Sequence, residues 1–459
     1  MALARAGATG RAWDAFVAAG LDGIVTQPNV LTLKGRLLKD RARAAGEGAA
    51  QAQLFLQSAK AYAGAAALNP DSYPLINAAT MSLFAGQTDH MQILANQVLA
   101  LMQTGVGHGE TAYWHAATRA EALLLIDDIE AAKASFAKAI EHAPQAWEDH
   151  ATTLRQFRQI SAFRKQDYEW LSAYAPPPSL YFSGMMGLAA DDMIAIEAVE
   201  EAVARTGAGF GFGALAAGAD ILIAEALIAM DAELHVVLPV IPSVFRAVSV
   251  DPFGAEWGER FDSLFEIATS VQIIDGGPAL SMAAIEIAAQ VAKGRAVDNA
   301  ARMESEAIDL IVAAPGHDIH TTAQVLTLTA TAPIATQRSL PAHKQSLLVA
   351  VAAGGPDEFA ISEFAYIDDA EDALVNARRD DRNSTMAVSL GVDFGSEPAS
   401  DARRAQIARM LGSTTKGTTT AGAEAAMALK ARDSAMWIEP LGELPDAGGA
   451  INVYAIVVP

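Results

Sequence analysis

Three consecutive prolines, Pro176, Pro177 and Pro178, divide this sequence into two parts with different hydrophobic periods. Proline has no backbone N–H and its ring clashes with the preceding turn, so no helix passes through such a run. Upstream, from about Trp13 to Leu171, the chain is Ala-rich, helical in period and poor in strand formers. Downstream, the short apolar run from Ser179 to Gly184 reads as a strand, and strands then alternate with helices. A length of 459 residues carries a prior of about three domains. The punctuation predicts a helical domain over 1–172, a parallel-sheet domain over 177–314, a Thr- and Pro-containing linker over 315–342 and an α+β domain over 343–459.

In the upstream part, helix signals end at recurrent Asn-Pro and Ala-Pro dipeptides. Two stretches align, QSAKAYAGAAALNP ending at Pro70 and AAKASFAKAIEHAP ending at Pro144. In the second, Ala132, Phe136, Ala139 and Pro144 stand at the offsets of a tetratricopeptide second helix, and Ser58, Tyr62, Ala65 and Pro70 repeat that spacing in the first. The small residues let helices approach, the aromatic fills the gap and the proline ends the helix. The two prolines are separated by about two 34-residue repeats plus a short insertion, which the Gly-rich stretch 104–110 can accommodate. The expectation is a set of degenerate tetratricopeptide repeats, whose concave surface suits a protein partner.

Beyond the prolines, strands are predicted near 179–183, 208–215, 234–240, 271–274 and 308–313, with helices near 191–204, 219–230, 256–268 and 279–302. Strands without alternating polarity, separated by helices, imply a parallel sheet covered on both faces, a Rossmann-like layout. From about His343 the order is strand (SLLVAVAA), helix (DDAEDALVNARRD), strand (TMAVSLGVDFG), two helices and a final strand (AINVYAIVV). That order predicts an α+β sandwich with an antiparallel sheet.

Composition then narrows the function. Against 32 Lys and Arg stand 54 Asp and Glu, a formal charge of −22. Such a surface repels phosphate backbones and anionic lipids, so neither nucleic acid nor membrane is an expected partner. One small anion in a local pocket stays compatible with it. Cysteine is absent, which excludes disulfides, thiolate metal sites and a Cys nucleophile. Arg5, Arg11 and Asp14 interrupt any signal-peptide core. Asp231, Glu233 and His235 interrupt the most apolar run before it reaches the roughly 20 residues of a membrane span. The reading is a soluble cytoplasmic protein.

The chemistry-bearing candidates gather at the predicted carboxyl edge of the parallel sheet. Gly209, Gly211 and Gly213 thin a strand where a backbone or ligand must come close. Gly218 makes the strand-to-helix turn, and Asp220 lies in the first helical turn that follows. A helix N-terminus there offers N–H groups and partial positive charge to a phosphate. The other loop at that edge is Ser183, Gly184, Met185, Met186 and Gly187. Two nearby charged residues are candidates with open alternatives: Glu225 for a ribose or for an ion pair, and Arg260 for a phosphate or for a surface salt bridge. Trp257 and Phe261 are expected in the core. His317 and His320 read as a surface loop, not a metal site, and the adjacent pairs Asp127-Asp128 and Asp368-Asp369 as solvated turns.

The run GALAAGADILIAEALIAMDAELHVVLP resembles the SLOG superfamily of Rossmann-like nucleotide-binding domains, related to the DNA-processing protein A and lonely-guy families. The shared shape is a Ser-Gly turn after the first strand, a Gly-Leu-Ala-x-Gly-x-Asp-type turn after the second, then a helix and an apolar strand. The order of repeats and SLOG-like run is similar to bacterial proteins that end in a class III nucleotidyl cyclase domain. That resemblance implies a ferredoxin-like C-terminal fold, and it is weakest there. The lonely-guy catalytic loop is not matched by IIDGGPALSMAAIE, which has Gly276, Gly277 and Glu286 but lacks the rest of that motif. The two metal-binding Asp residues of cyclases are not matched by Asp357 and Asp393, and the helix with Arg403, Arg404 and Arg409 has no preceding Asn. The resemblance therefore implies a cyclase-like domain without its chemistry.

The expected function is a regulatory protein that binds a nucleotide or nucleotide-derived ligand at Ser183, Gly184, Met185, Gly213, Gly218, Asp220, Glu225 and Arg260, and engages a protein partner through its repeats. No metal and no further cofactor is expected, and self-association stays open. The rival readings are an active nucleotidyl cyclase or nucleotide hydrolase, and a scaffold that binds no ligand.

Overall fold

A computed structural model describes residues 9–103, 110–274, 277–316, 323–331, 340–341, 343–355, 358–381, 384–393, 397–446 and 449–457. The chain divides into two compact units, Met1–Pro176 and Pro177–Pro459. The boundary falls within the proline run, where the backbone cannot continue a helix.

The first unit is helical throughout its described residues. Its helices are α1 (Thr9–Ala18), α2 (Pro28–Ala44), α3 (Ala49–Leu68), α4 (Ser72–Phe84), α5 (Thr88–Met102), α6 (Ala112–Leu125), α7 (Ile129–His142) and α8 (Trp147–Arg164), with a 3₁₀ turn at Glu169–Tyr174. Successive helices pack as antiparallel neighbours: α2 with α3, α4 with α5, α6 with α7. The aligned repeat positions are the contact points. Ser58, Tyr62 and Ala65 on α3 and Ala132, Phe136 and Ala139 on α7 are all buried. Gly35 of α2 sits under the Tyr62 ring, where a β-carbon would lie 2.7 Å from the ring, and the Ser58 hydroxyl donates to the Gly35 carbonyl at 2.7 Å. The pairs α4/α5 and α6/α7 account for the two repeats between Pro70 and Pro144; the Gly-rich insertion lies, apart from Glu110, outside the described residues.

Phe136 anchors the end of this unit. It is fully buried, with ring centroids 5.3 Å from Phe157 and 5.1 Å from Tyr174. Truncation of a buried Phe to Ala costs roughly 3–5 kcal/mol through lost burial and the cavity left behind. Phe136→Ala is therefore expected to lower the melting transition of the helical unit sharply. A circular dichroism melt that shifts by less than about 1 kcal/mol equivalent would contradict this packing role.

The second unit contains two six-stranded sheets. The first is built from β1 (Ser179–Gly184), β2 (Phe210–Gly213), β3 (Glu233–Leu238), β4 (Ser270–Ile273), β5 (Ala307–Ala313) and β6 (Gln324–Thr327), in the order β4-β3-β2-β1-β5-β6. Every pair is parallel. Its helices are α9 (Met193–Thr206), α10 (Ala219–Ala229), α11 (Pro242–Ser249), α12 (Ala255–Ile267) and α13 (Met282–Arg302). The first five strands and the four helices predicted around them fall within a few residues of their expected places. Helix α10 is buried on nearly all sides, including Ile221, Leu222, Ile223 and Leu227, as expected of a helix that is apolar all round. Helices α9, α10 and α12 pack in succession, while α13 lies on β1, β2, β3 and β5. Right-handed crossovers place these two sets on opposite faces, because the chain reverses its direction across the sheet after β4.

The segment expected as a linker contributes a strand. Within 315–342, β6 pairs with β5, and the Thr331 amide donates to the Gly187 carbonyl at 3.0 Å. Its four residues are mostly exposed, so the hydrophobic pattern gave no strand signal.

The second sheet comprises β7 (Lys344–Gly355), β8 (Glu358–Phe364), β9 (Thr385–Asp393), β10 (Thr419–Gly422), β11 (Trp437–Asp446) and β12 (Gly449–Val457), in the order β11-β12-β10-β9-β7-β8. Its helices are α14 (Ile367–Asp380), α15 (Glu397–Ser413) and α16 (Ala423–Arg432). The expectation of an antiparallel sheet is corrected. Strands β9 and β10 pair in parallel, because α15 crosses between them, so the sheet is mixed. Strands β8, β10 and β11 were not anticipated; β10 is a four-residue Thr-Thr-Ala-Gly segment without a hydrophobic run.

Helices α13 and α16 meet closely. A β-carbon on Gly294 would lie 1.9 Å from the Met427 carbonyl oxygen, so the two backbones touch at that point.

Candidate functional site

Two loops leave the carboxyl edge of the parallel sheet side by side, one after β1 and one after β2. Asp220, in the first turn of α10, ties them together. Its Oδ1 accepts the Gly184 amide at 2.7 Å and its Oδ2 accepts the Ala216 amide at 3.2 Å. The carboxyl is buried, and burial pushes its pKa up to about 7 against the opposing pull of the two amides.

Other amides at this edge also have partners within the protein. Met185 donates to the Val312 carbonyl, Ala217 to the Ser249 carbonyl and Ala219 to the Met185 carbonyl. Gly218 precedes that helix at φ +103°, a backbone conformation that L side chains rarely adopt. A β-carbon there would lie 2.7 Å from the Met185 oxygen and 3.2 Å from the Met186 Cα. The glycine therefore admits the neighbouring loop. The glycines in and just before β2 likewise face protein atoms: Gly209 meets Pro177, Gly211 meets Leu227 and Gly213 meets the Phe182 ring.

Between these loops and α13 is a cavity of about 170 Å³. Its polar lining includes Tyr181, Ser183, Asp220 and Ser249, and its apolar wall includes Met186, Phe245 and Ile285. Tyr181 hydrogen-bonds the Ser183 side chain; burial first, and the nearby Asp220 charge second, push its hydroxyl up to about 12. Among the described residues, no Lys or Arg lines the cavity.

Of the candidate residues, the structure brings Ser183, Gly184, Gly213 and Asp220 to this cavity. Met185 and Gly218 stand in the same two loops, behind the lining. Glu225 and Arg260 are elsewhere and partner each other. The Arg260 Nε donates to the Glu225 carboxylate at 2.7 Å, Nη1 donates to the Ala190 carbonyl at 3.0 Å, and the guanidinium lies 4.5 Å from the Trp257 ring centroid. Trp257 and Phe261 are buried in the core of this sheet. Sequence reasoning missed Tyr181, Phe245, Ser249 and the α13 wall of Ile285, Ala288, Ala289 and Ala292. No local signal marks the α13 wall, which reaches the site from about a hundred positions downstream of β1.

Several weaker candidates also have positions. Asp128 caps α7, accepting the Ala131 amide at 3.2 Å, and Asp368 pairs with Arg432 at 2.6 Å. Gly276, His317, His320 and Asp357 lie outside the described residues.

Residues 1–82 match the family model described as Tetratricopeptide Repeats-Sensor. Among curated proteins, none matches the chain. No described helix is long and apolar enough to cross a membrane.

Proposed function

We propose that this chain is a regulatory sensor, with helical repeats that engage a protein partner and a parallel-sheet pocket that takes one end of a nucleotide or nucleotide-derived ligand. A regulatory or protein-interaction role follows from the tetratricopeptide-like sensor repeats. The pocket assignment rests on one observation: loops after β1 and β2 bring Ser183, Gly184, Gly213 and Asp220 to a single cavity at the carboxyl edge. Open α/β sheets bind ligands outside the carboxyl ends of their strands. At about 170 Å³ the cavity is smaller than the ~300–1,000 Å³ of ordinary ligand pockets. It holds a fragment such as a ribose, with the rest of the ligand outside. Hydroxyls of Tyr181, Ser183 and Ser249 and the buried Asp220 carboxyl, with no Lys or Arg among the described lining residues, suit a neutral, hydroxyl-bearing fragment better than a phosphate.

On this reading the SLOG-like resemblance describes residues 177–314, and 343–459 is a cyclase-like domain without chemistry. In support, the arginines of α15 hold the fold: Arg403 donates to the Ser346 carbonyl, Arg404 lies 3.6 Å from Glu363, and Arg409 donates to the Pro445 carbonyl.

A thermal-shift panel of nucleotides, cyclic nucleotides and NAD-derived compounds tests the pocket, since a ligand selective for the native state raises its stability. At least one compound is expected to raise the melting temperature. Ala289→Leu, which fills the cavity from α13, is expected to weaken that compound at least tenfold. The pocket assignment fails if no compound shifts the transition, or if the shift survives Ala289→Leu unchanged.

A further inference from the structure

A second concavity lies in the helical unit, and its chemistry differs from that of the sheet cavity. Helices α5, α6 and α7 enclose a cleft of about 600 Å³. Its floor is apolar, formed by Leu99 and Met102 of α5 and Ala112, Ala116 and Leu123 of α6. Its rim carries two cations, Arg119 of α6 and Lys138 of α7, with His142 beside Lys138 and His115 at one end. The spacing explains the convergence. Positions 112, 115, 116, 119 and 123 share one face of α6, and 135, 138 and 142 share one face of α7.

The charge is unusual for this molecule. The chain as a whole carries −22, yet among the described residues no Asp or Glu lines this cleft. Glu110, beside His115, accepts the Ser72 hydroxyl at 2.8 Å and lies 3.3 Å from His115 Nδ1. Arg119, Lys138 and His142 make no hydrogen bond or ion pair with any described residue. Elsewhere in the same unit Lys39, Arg43 and Arg164 are engaged with Asn77, Gln159 and the carbonyls of Leu124 and Leu125. Unpaired cations around an apolar floor are complementary to an anion carried on an apolar body.

We infer that this cleft binds a small anionic amphiphile, a carboxylate, sulfonate or phosphate attached to an apolar group, with the acid on Arg119 and Lys138 and the apolar part on Leu99, Met102 and Leu123. The volume falls within the ~300–1,000 Å³ of small-molecule pockets. The site is independent of the sheet cavity and of any ligand assigned there.

The test uses the full chain and the fluorescent aromatic sulfonate 1-anilinonaphthalene-8-sulfonate, with neutral N-phenyl-1-naphthylamine as its uncharged counterpart. The sulfonate is expected to bind saturably. The double variant Arg119→Gln/Lys138→Gln should weaken it at least tenfold, the order expected when hydrogen bonds to a charged group are lost. Both side chains are exposed, so the melting temperature should stay unchanged. Binding of the neutral probe should not respond to the substitution, and Lys60→Gln, an exposed charge on α3, should leave both probes unaffected. Decanoate is expected to displace the sulfonate. Sulfonate affinity that is unchanged in the double variant overturns the site, as does equal weakening by Lys60→Gln. Displacement by a Glu- and Leu-containing peptide but not by decanoate overturns the small-molecule assignment in favour of a protein segment.

Discussion

Gly294→Ala is expected to destabilise the second unit by about 2 kcal/mol, although Ala is the better helix former. Two effects oppose each other at this position. Replacing a mid-helix Gly by Ala stabilises a helix by roughly 1 kcal/mol. The new β-carbon, however, would lie 1.9 Å from the Met427 carbonyl oxygen and 2.5 Å from its carbon. Those are backbone atoms of α16 and cannot rotate away as a side-chain tip can. Overpacking a well-filled core costs ~1–3 kcal/mol and occasionally more, so sterics win and α16 must move off α13. The measurement is hydrogen exchange of peptides covering 282–302 and 423–432. Both should lose protection together in Gly294→Ala, and more so in Gly294→Val, while peptides of the helical unit stay unchanged. A variant stabilised by about 1 kcal/mol, as helix propensity alone dictates, would mean that these helices do not touch.

The second large effect concerns Asp220, whose carboxylate accepts amides from both loops of the candidate cavity. Asp220→Ala leaves two buried N–H groups without their acceptor, each costing about 1–3 kcal/mol. Relief of the buried charge offsets part of this, for an expected net loss of roughly 2–4 kcal/mol. Hydrogen exchange at 179–190 and 210–222 reads it directly. Asp220 also has a pH signature. Burial raises its folded pKa to about 7 from 3.8, so between those values the native state holds a proton that the unfolded state has released. Stability must then fall as pH rises from about 4 to 7. His235 works in the opposite direction. Burial, then the Arg295 charge, lower its pKa to about 4, so its contribution is lost as pH falls below 6.5. Subtracting the pH profile of Asp220→Asn from that of the parent isolates the aspartate. A difference that is flat between pH 4 and 7 would remove the buried, titrating carboxyl from this account.

Much of the architecture was legible because it is written in local chemistry. The proline run marks the break between the two units, since no helix crosses three prolines. Small residues and aromatics at fixed offsets marked α3 and α7, whose close approach depends on side-chain size alone. Strands β1, β2, β3 and β5 could be read because burial makes each a short, mostly apolar run, and the half-exposed edge strand β4 was read from its place between two helices. Exposed or polar strands escaped: β6 is mostly exposed, and β10 is too short and polar to stand out.

The candidate cavity was legible only by half. Gly-rich turns after β1 and β2 are local signals, and they named Ser183, Gly184, Gly213 and Asp220. Which of the neighbouring charges face that cavity is a tertiary matter. Glu225 and Arg260 lie 35 positions apart and partner each other because α10 and α12 pack together. Asp220 was read as a candidate for a ligand, yet the amides that occupy its oxygens come from loops positioned by the sheet.

By itself, then, the sequence determined where helices yield to strands, which helix faces bury, the parallel character of the first sheet and the acidic charge of the whole. Each follows from a period or a composition that neighbouring residues carry. Only the tertiary structure decided which carboxylate meets which amide, that α13 walls the cavity, that Gly294 admits α16, and that Arg119 and Lys138 converge on one cleft. Those contacts join residues far apart in the chain, and their energies depend on desolvation and distance, which no local pattern encodes.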